Sequence, residues 1–211
     1  AFIDADGTIG GNGVNVYSGT SFNQSNNFSS NAGDGFNALA SNGGSIDGNL
    51  LNNTITNNGR NGVRLAIDNG GFMDFGTPAS NRVIRDNTIT GNGDAGIRLV
   101  SNVSATSVAQ MDVVALGNTI SSNLGGGIIT NQNGPNNIPP AVPGVINNHI
   151  LNLTVGGTGT TNANTLSGNG DAGIGVHVTG NGLANVDIRN ATITGTTNGP
   201  DPILNGDGIN L

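Results

Sequence analysis

Six short apolar segments along the chain are each followed by a Gly-plus-apolar pair. In five of the six units the two apolar positions are eight residues apart, and the sixth unit has the same ends with an insertion of eight residues. Such self-similarity predicts one structural unit stacked repeatedly on itself. The six pairs of apolar positions are Phe28 and Phe36, Ile55 and Val63, Ile89 and Ile97, Ile120 and Ile128, Leu166 and Ile174, and Ile193 and Ile209.

Asparagine holds fixed places around these apolar pairs. In five of the six units, one Asn lies two residues before the first apolar residue and another lies three residues after it. Because Asn tolerates positive φ and bonds locally through its side chain, we expect the later Asn to occupy a backbone bend. Stacked amides also donate to one another, which predicts a structural ladder along the stack. The predicted ladder residues are Asn31, Asn58, Asn92, Asn123 and Asn169.

One unit illustrates the expected strands. Residues 88–90 alternate so that Ile89 faces inward between two outward threonines, and residues 97–99 alternate again with Arg98 outward. Residues 108–116 supply a third apolar-rich strand before the next unit begins. Three short strands per unit, separated by polar corners, predict one coil of a parallel β-helix. The Gly before every second apolar residue suits a close backbone approach or an unusual φ.

The composition favours a solenoid over a globule. Gly and Asn each occur 37 times, so about a third of the chain consists of turn-forming residue types, and only 34% is apolar. A solenoid needs only a thin column of stacked apolar side chains, each contributing about 1.5–3 kcal/mol when fully buried. Neighbouring coils of such a stack lie about 4.8 Å apart.

The charged residues exclude several partner classes. All 13 acidic residues are Asp, all six basic residues are Arg, and the net charge is −7. Nucleic acids and anionic membranes need a basic footprint, so we expect neither as a partner. No apolar run approaches the roughly 20 residues of a membrane span. The chain has no Cys, which is compatible with a secreted or cell-surface protein.

A known repeat matches these residues. The pattern Asn-Thr-Ile-x-x-Asn-x-x-x-Gly-Ile, at 87–97 and 118–128, resembles the right-handed parallel β-helix repeat of pectate-lyase-like proteins. Residues 164–190 are similar to the Gly/Asn-rich tandem repeats of very large bacterial surface proteins. The resemblance implies an all-β, right-handed parallel β-helix of about six coils with three short strands each. The same fold carries lyases, hydrolases, adhesins and passive stalks, so function has to come from the residues themselves.

We expect residues 1–211 to form a single β-helix domain. The chain opens at 1–3 in what we interpret as a third strand and stops at Leu211 after a second strand, which predicts a segment or period of a longer solenoid. Partners would then be neighbouring repeats or other copies of the chain. The insertion at 131–145 contains four Pro, which cannot serve a central strand, so we predict a lateral loop there.

Two outward arrays suggest ligands. Thr or Ser flanks the first apolar residue of five units, and flat Thr-x-Thr arrays on solenoids are typical of ice-binding faces, although β-branched Thr also simply suits exposed strands. Arg64 and Arg98 take the same outward position on neighbouring units. Such a pair can grip a carboxylate or sulfate of a cell-surface polysaccharide. The alternative is a solvated face paired with Asp.

Aspartates in Gly/Asn-rich corners suggest calcium. Asp can bind Ca²⁺ through carboxylate and neighbouring carbonyl oxygens, and it is equally common as a turn former. Calcium is therefore the one cofactor that the sequence offers as a candidate. The candidate ligands are Asp34, Asp94, Asp171 and Asp207.

No catalytic cluster can be assembled from the sequence. The acid and base motifs of polygalacturonase-like enzymes are missing, and the chain has neither Lys nor Glu. Two Asp from different coils can still converge for paired-carboxylate hydrolysis. His149 precedes a strand and His177 alternates outward, so we interpret both as ordinary edge or surface residues.

These observations predict a secreted or cell-surface structural or adhesive rod that forms fibres by end-to-end continuation, and not an enzyme. The alternative is a carbohydrate-binding module or a polysaccharide lyase or hydrolase, which a groove with two or three Asp beside the third strand would favour. Ice binding through the Thr-x-Thr array is a minor alternative.

Overall fold

The structure is a computed structural model in which most of the described residues lie in short parallel strands. The strands fall into three sheets, called sheets 1, 2 and 3, which the chain visits in that order again and again. The expectation of an all-β parallel solenoid is confirmed, with one 3-10 turn at Thr160–Asn162 within the described residues. The structure describes residues 2–6 and 13–18 (backbone only), 25–77, 82–102, 107–133, 149–180, 182–200 and 206–211.

Sheet 1 contains strands of three or four residues, each centred on one apolar side chain. Ile55, Ile89 and Ile120 are fully buried, while the Thr before each of them is exposed. Alternation along a strand therefore separates an apolar inner face from a Thr-rich outer face. In spatial order the strands are β3 (Asn27–Ser29), β6 (Thr54–Thr56), β10 (Thr88–Thr90), β13 (Thr119–Ser121), β16 (Asn164–Ser167) and β19 (Ala191–Thr194).

Sheet 2 follows the eight-residue corner. Val63, Ile97 and Ile128 are paired on successive strands, so equivalent residues of the repeat form one inward row. In spatial order its strands are β1 (Phe2–Asp6), β4 (Phe36–Ser41), β7 (Val63–Asp68), β11 (Ala95–Asn102), β14 (Gly126–Asn133), β17 (Ala172–Thr179) and β20 (Asp207–Asn210).

Sheet 3 closes each coil and contains an interrupted strand. β8 and β9 each pair with part of β5 and part of β12, so together they occupy the place of one strand. In spatial order the strands are β2 (Gly13–Ser18), β5 (Gly44–Leu51), β8 (Gly71–Phe75) with β9 (Ile84–Arg85), β12 (Ala109–Leu116), β15 (His149–Val155) and β18 (Gly182–Ile188).

The core is one continuous apolar column between the three sheets. Phe36 and Phe75 are its largest side chains, and rows of Ile, Leu and Val from every sheet fill the remaining space. Because each row repeats from coil to coil, every buried side chain packs mainly on its equivalents above and below. This thin column explains how a chain with 34% apolar residues keeps a core.

The structure corrects one expectation about strand position. β1 lies in sheet 2 beside β4, where Phe2 pairs with Asn37, so the interpretation of the opening residues as a third strand was wrong. A two-residue apolar pattern fits either sheet, and only the pairing partner distinguishes them. In the predicted lateral loop at 131–145, residues 131–133 belong to β14, and 134–145 lie outside the described residues.

Candidate functional site

The predicted asparagine ladder runs along the corner between sheets 1 and 2. Each side-chain amide nitrogen donates to the amide oxygen of the next Asn, at 2.8 Å from Asn31 to Asn58 and 2.9 Å from Asn58 to Asn92. The same contacts measure 2.8 Å from Asn92 to Asn123 and 3.0 Å from Asn123 to Asn169. The backbone N–H of each donor residue contacts the same oxygen. Four of the five side chains are buried, so these bonds are shielded from water.

A second ladder runs along the corner that precedes sheet 1. Asn53 donates through its amide nitrogen to Asn87 Oδ1 at 2.9 Å, and Asn87 donates to Asn118 Oδ1 at 2.9 Å. Asn26 and Asn164 continue the row at either end. The sequence analysis missed this ladder, although its signal was present: an Asn two residues before the first apolar residue of five units.

Positive φ falls one residue before the ladder asparagines, and not on them. Asn57 (φ 54°) precedes Asn58, and Gly91 (φ 66°) precedes Asn92. Of the two properties that suit Asn to this bend, the ladder Asn therefore uses its bonding side chain and not positive φ. The left-handed residue turns the chain, and the following Asn points its amide inward to bond neighbouring coils.

The Gly before the second apolar residue serves a close approach. A Cβ on Gly62 would lie 2.6 Å from Ile89 Cγ2 and 2.7 Å from the backbone oxygen of Gly96. Gly62 does not have positive φ. Of the two explanations that the sequence allowed, close approach is the one that the geometry supports.

The outer face of sheet 1 carries two straight columns of hydroxyl side chains. Thr88 is in register with Thr54 and Thr119, and Thr90 is in register with Thr56 and Ser121. The remaining coils extend the columns through Thr165 and Thr192 on one side, and Ser167 and Thr194 on the other.

Arg64 and Arg98 stack on the outer face of sheet 2, where they are paired in register. Arg64 Nη1 donates to Asn37 Oδ1 at 3.1 Å. Arg98 Nη2 lies 2.7 Å from the oxygen of Asn131 in the amide orientation that satisfies both groups. Both cations therefore have neutral amide partners, which leaves their charges available to an anionic ligand. The polysaccharide contact assigned to them stays a prediction.

Sheet 3 brings together three carboxylates that the sequence analysis did not single out. Asp47, Asp74 and Asp112 are in register on successive strands. Arg82, from the segment between β8 and β9, bridges the first two at 3.1 Å and 2.7 Å. Asp112 accepts from Gln110 at 2.8 Å and Asn152 at 2.6 Å. The column of side chains from Asp47 to Asn152 is called the sheet 3 polar column.

The pKa of Asp74 reflects its neighbours in this column. Partial burial raises the pKa, but hydrogen bonds from Arg82, Gly76 and Thr77 and the Arg82 charge lower it more, so it lies below the usual aspartate value. Asp74 is therefore firmly ionised near neutral pH. A general acid needs the opposite shift, so Asp74 is suited to binding rather than to proton donation.

A row that is apolar apart from Gln110 lies next to the sheet 3 polar column. Phe72 precedes Asp74 by two residues on the same outer face and is 48% exposed. Across the sheet it is in register with Gln110, Ile150 and Leu183. Sheet 3 thus presents Phe72, Ile150 and Leu183, in a row interrupted by Gln110, beside a row of carboxylates and amides; both rows run along the stack.

The four calcium candidates do not converge. Asp34 Oδ1 accepts from the backbone and side chain of Asn61, at 3.0 Å and 2.8 Å, and so acts like a ladder residue. Asp171 is buried with φ 47°, and exposed Asp207 accepts from Asn210. Asp94 lies in the corner of a different coil, where its backbone bonds Arg60 and Gly125. Across the described ranges, no group of three or more His, Cys, Asp or Glu is placed to hold a metal ion.

The two histidines differ in environment. His177 is exposed on β17, as its alternation suggested. His149 is fully buried at the start of β15, and burial lowers its pKa below the usual value. Its Nδ1 lies 3.2 Å from Ser101 Oγ. The interpretation of His149 as an edge residue was therefore wrong, because its position in register with buried Ala109 places it in the core.

No protein-family model, curated protein or solved structure matches the chain. The likeness to pectate-lyase-like repeats and to bacterial surface repeats therefore stays a prediction based on motifs. Among the residues that the structure describes, no helix has the length and apolar character needed to cross a membrane.

Proposed function

We propose that the chain is an extracellular structural or adhesive rod, built as a right-handed parallel β-helix of about six coils with three short strands each. The observation that carries this proposal is the pair of continuous amide ladders, which bond successive coils at two corners from Asn26 and Asn31 to Asn164 and Asn169. Because each coil contacts mainly its neighbours, coils can be added without a change of fold, which suits a spacer or a fibre.

The direction of the bonds supports a mechanical role. In a parallel sheet of this kind, the hydrogen bonds between strands run from coil to coil, along the stack. The ladder bonds run in the same direction, and most lie where water cannot compete. Tension applied along the stack is therefore shared by many hydrogen bonds between each pair of coils. A mechanical role of this kind does not depend on a single reactive site.

Immunogold electron microscopy of the source cells with antibodies against the chain tests this proposal. We expect label on extended structures at or outside the cell surface. Label confined to the cell interior would overturn the extracellular assignment. Label on compact extracellular particles would overturn the rod and leave the location intact.

A second candidate function, polysaccharide binding, is favoured by sheet 3. Sugars present apolar ring faces and hydroxyl groups, which match the exposed Phe72 row and the neighbouring carboxylates and amides. The acidic column disfavours polyanions, so the ligand is expected to be a neutral polysaccharide. This differs from the acidic glycan expected at Arg64 and Arg98.

Affinity electrophoresis in gels containing neutral or acidic polysaccharides separates the two surfaces. Binding through sheet 3 predicts retardation by a neutral polysaccharide that is lost in Phe72→Ala and reduced in Asp112→Asn. Arg98→Gln, on the outer face of sheet 2, is the matched control and should migrate as the wild type. Retardation by acidic polymers that only Arg98→Gln abolishes would assign binding to sheet 2 instead.

A further inference from the structure

An unusual group of polar side chains lies inside the corner between sheets 2 and 3. The inward row of sheet 2 changes from Ile67 to Ser101 and Gln132, which are in register on β11 and β14. Facing it, the row of sheet 3 changes from Ala109 to His149. Most inward positions of sheets 2 and 3 are apolar, so these three side chains, called the corner cluster, need a separate explanation.

The three residues of the corner cluster are neighbours and fully enclosed. Ser101 Oγ lies 3.2 Å from His149 Nδ1, and each residue of the cluster is at most 1% exposed. Gly182 follows His149 in the row of sheet 3. A Cβ on Gly182 would lie 2.6 Å from Val178 Cγ1 and 3.8 Å from Gln132 Cβ, so both of these side chains pack against Gly182.

Several buried polar atoms at this corner have no hydrogen-bond partner among the described residues. Gln132 Nε2, Gln132 Oε1 and His149 Nε2 are buried and have no partner within the described part of the chain. Thr130 Oγ1, one inward position earlier on β14, is in the same situation. Folded proteins pair the large majority of buried polar side-chain atoms with protein groups or with ordered water. Apolar neighbours such as Ala109 and Val178 offer no such partner.

We propose that the corner cluster is a binding site for an internal water molecule that bridges the Gln132 amide and His149 Nε2. The unpaired atoms fit water better than an ion, because they include both hydrogen-bond donors and an acceptor. A cation would leave the Gln132 N–H groups unpaired, and an anion would leave the Gln132 oxygen unpaired, whereas water both donates and accepts. Buried waters typically make about three such bonds to otherwise unpaired groups.

Water bound in this way extends the polar network of the two ladders to a third corner, through a solvent molecule in place of an amide. Gln132 and His149 lie on β14 and β15, which follow one another in the same coil, so the bound water joins sheets 2 and 3 within that coil. Ser101, on the preceding strand of sheet 2, links His149 to the neighbouring coil through its 3.2 Å contact with Nδ1.

Nuclear magnetic resonance of the whole chain tests the site without any substitution. We expect nuclear Overhauser effects, and not proton exchange, between the Gln132 side-chain NH2 and a long-lived water. The same water should show Overhauser effects to the His149 ring protons. Gln132→Met keeps the side-chain length and removes the amide, so these contacts and one long-lived water should disappear.

A high-resolution crystal structure provides the second readout. Density for an ordered water within hydrogen-bond distance of Gln132 and His149 Nε2 supports the site. Gln132 paired directly with a protein group, or a dry corner, overturns it. Ser107→Ala is the control: it removes a hydroxyl group from the protein surface and should leave the internal water in place.

Discussion

The ladder asparagines should stabilise the fold far more than exposed asparagines that form similar bonds. Asn92 makes four side-chain hydrogen bonds. Its Oδ1 accepts from Asn58 N at 3.1 Å and Asn58 Nδ2 at 2.9 Å, and its Nδ2 donates to Asn123 Oδ1 at 2.8 Å and Ile55 O at 3.3 Å. At about 1 kcal/mol for each buried bond, Asn92→Leu should lower the free energy of unfolding by about 3–4 kcal/mol.

Asn92→Asp sharpens the same prediction. The carboxylate keeps the two accepted bonds but faces Ile55 O and Asn123 Oδ1 with an oxygen instead of a donor. Burial and these acceptors raise the pKa of the new carboxyl above its unfolded value of about 3.9. The variant should therefore be most stable below the unfolded pKa and lose stability as pH rises through the folded pKa. Asn92→Leu should show no such pH dependence.

Urea unfolding followed by circular dichroism measures these changes. The matched control is Asn133→Leu, because exposed Asn133 donates one amide bond, to Asn102 Oδ1 at 3.0 Å. We expect the control to lie within about 0.5 kcal/mol of the wild type, as is usual for surface substitutions. Equal losses for Asn92→Leu and Asn133→Leu would refute the claim that the buried ladder stabilises the coils.

Three further predictions follow from the same geometry. Gly62→Ala should destabilise the chain by about 2 kcal/mol or more in urea unfolding, because its Cβ would lie 2.7 Å from a backbone oxygen, whereas Gly33→Ala, with open space around it, should be tolerated. Burial lowers the pKa of His149, so the free energy of unfolding should fall as pH drops below about 6.5. His149→Phe should lose this pH dependence of stability; an unchanged pH dependence would contradict the burial of a neutral His149. If the Thr columns of sheet 1 bind ice, thermal hysteresis should be measurable and Thr119→Tyr should abolish it; a chain that leaves ice growth unchanged removes this alternative.

The repeat made the architecture predictable because it appears in the sequence at fixed spacing. Alternation around Ile89 and the Gly before Ile97 indicate two strands and the corner that joins them. The first ladder followed from the recurrence of Asn three residues after the apolar position. The second ladder had an equally regular signal in Asn53 and its equivalents, which the analysis treated only as part of the framework.

The surface of sheet 3 could not be predicted in the same way. Asp47, Asp74 and Asp112 are separated by 27 and 38 residues, and the unit containing Asp74 has an insertion. Their register depends on the residue at which each sheet 3 strand begins after a loop of variable length. The constant eight-residue spacing between sheets 1 and 2 does not indicate that residue. Arg82, two residues before β9, joins the column through its contacts with Asp47 and Asp74, which no spacing in the sequence indicates.

The corner cluster shows a different limit of sequence patterns. His149 and Gln132 occupy inward positions of strands whose neighbours are apolar, so alternation alone predicts their burial. The sequence analysis placed His149 before a strand, whereas it is the first inward residue of β15. The hydrogen-bond partners of such buried polar residues cannot be read from the sequence, because they come from strands that are far apart in the chain.

Electron cryomicroscopy of the material isolated from its source tests the central claim most directly. The account predicts extended rods or fibres with an axial repeat of about 4.8 Å between coils and two internal rows of asparagine density along the corners of sheet 1. A reconstruction of the rod would also give the handedness and the number of coils. Compact particles without an axial repeat, or coils without the asparagine rows, would contradict the account.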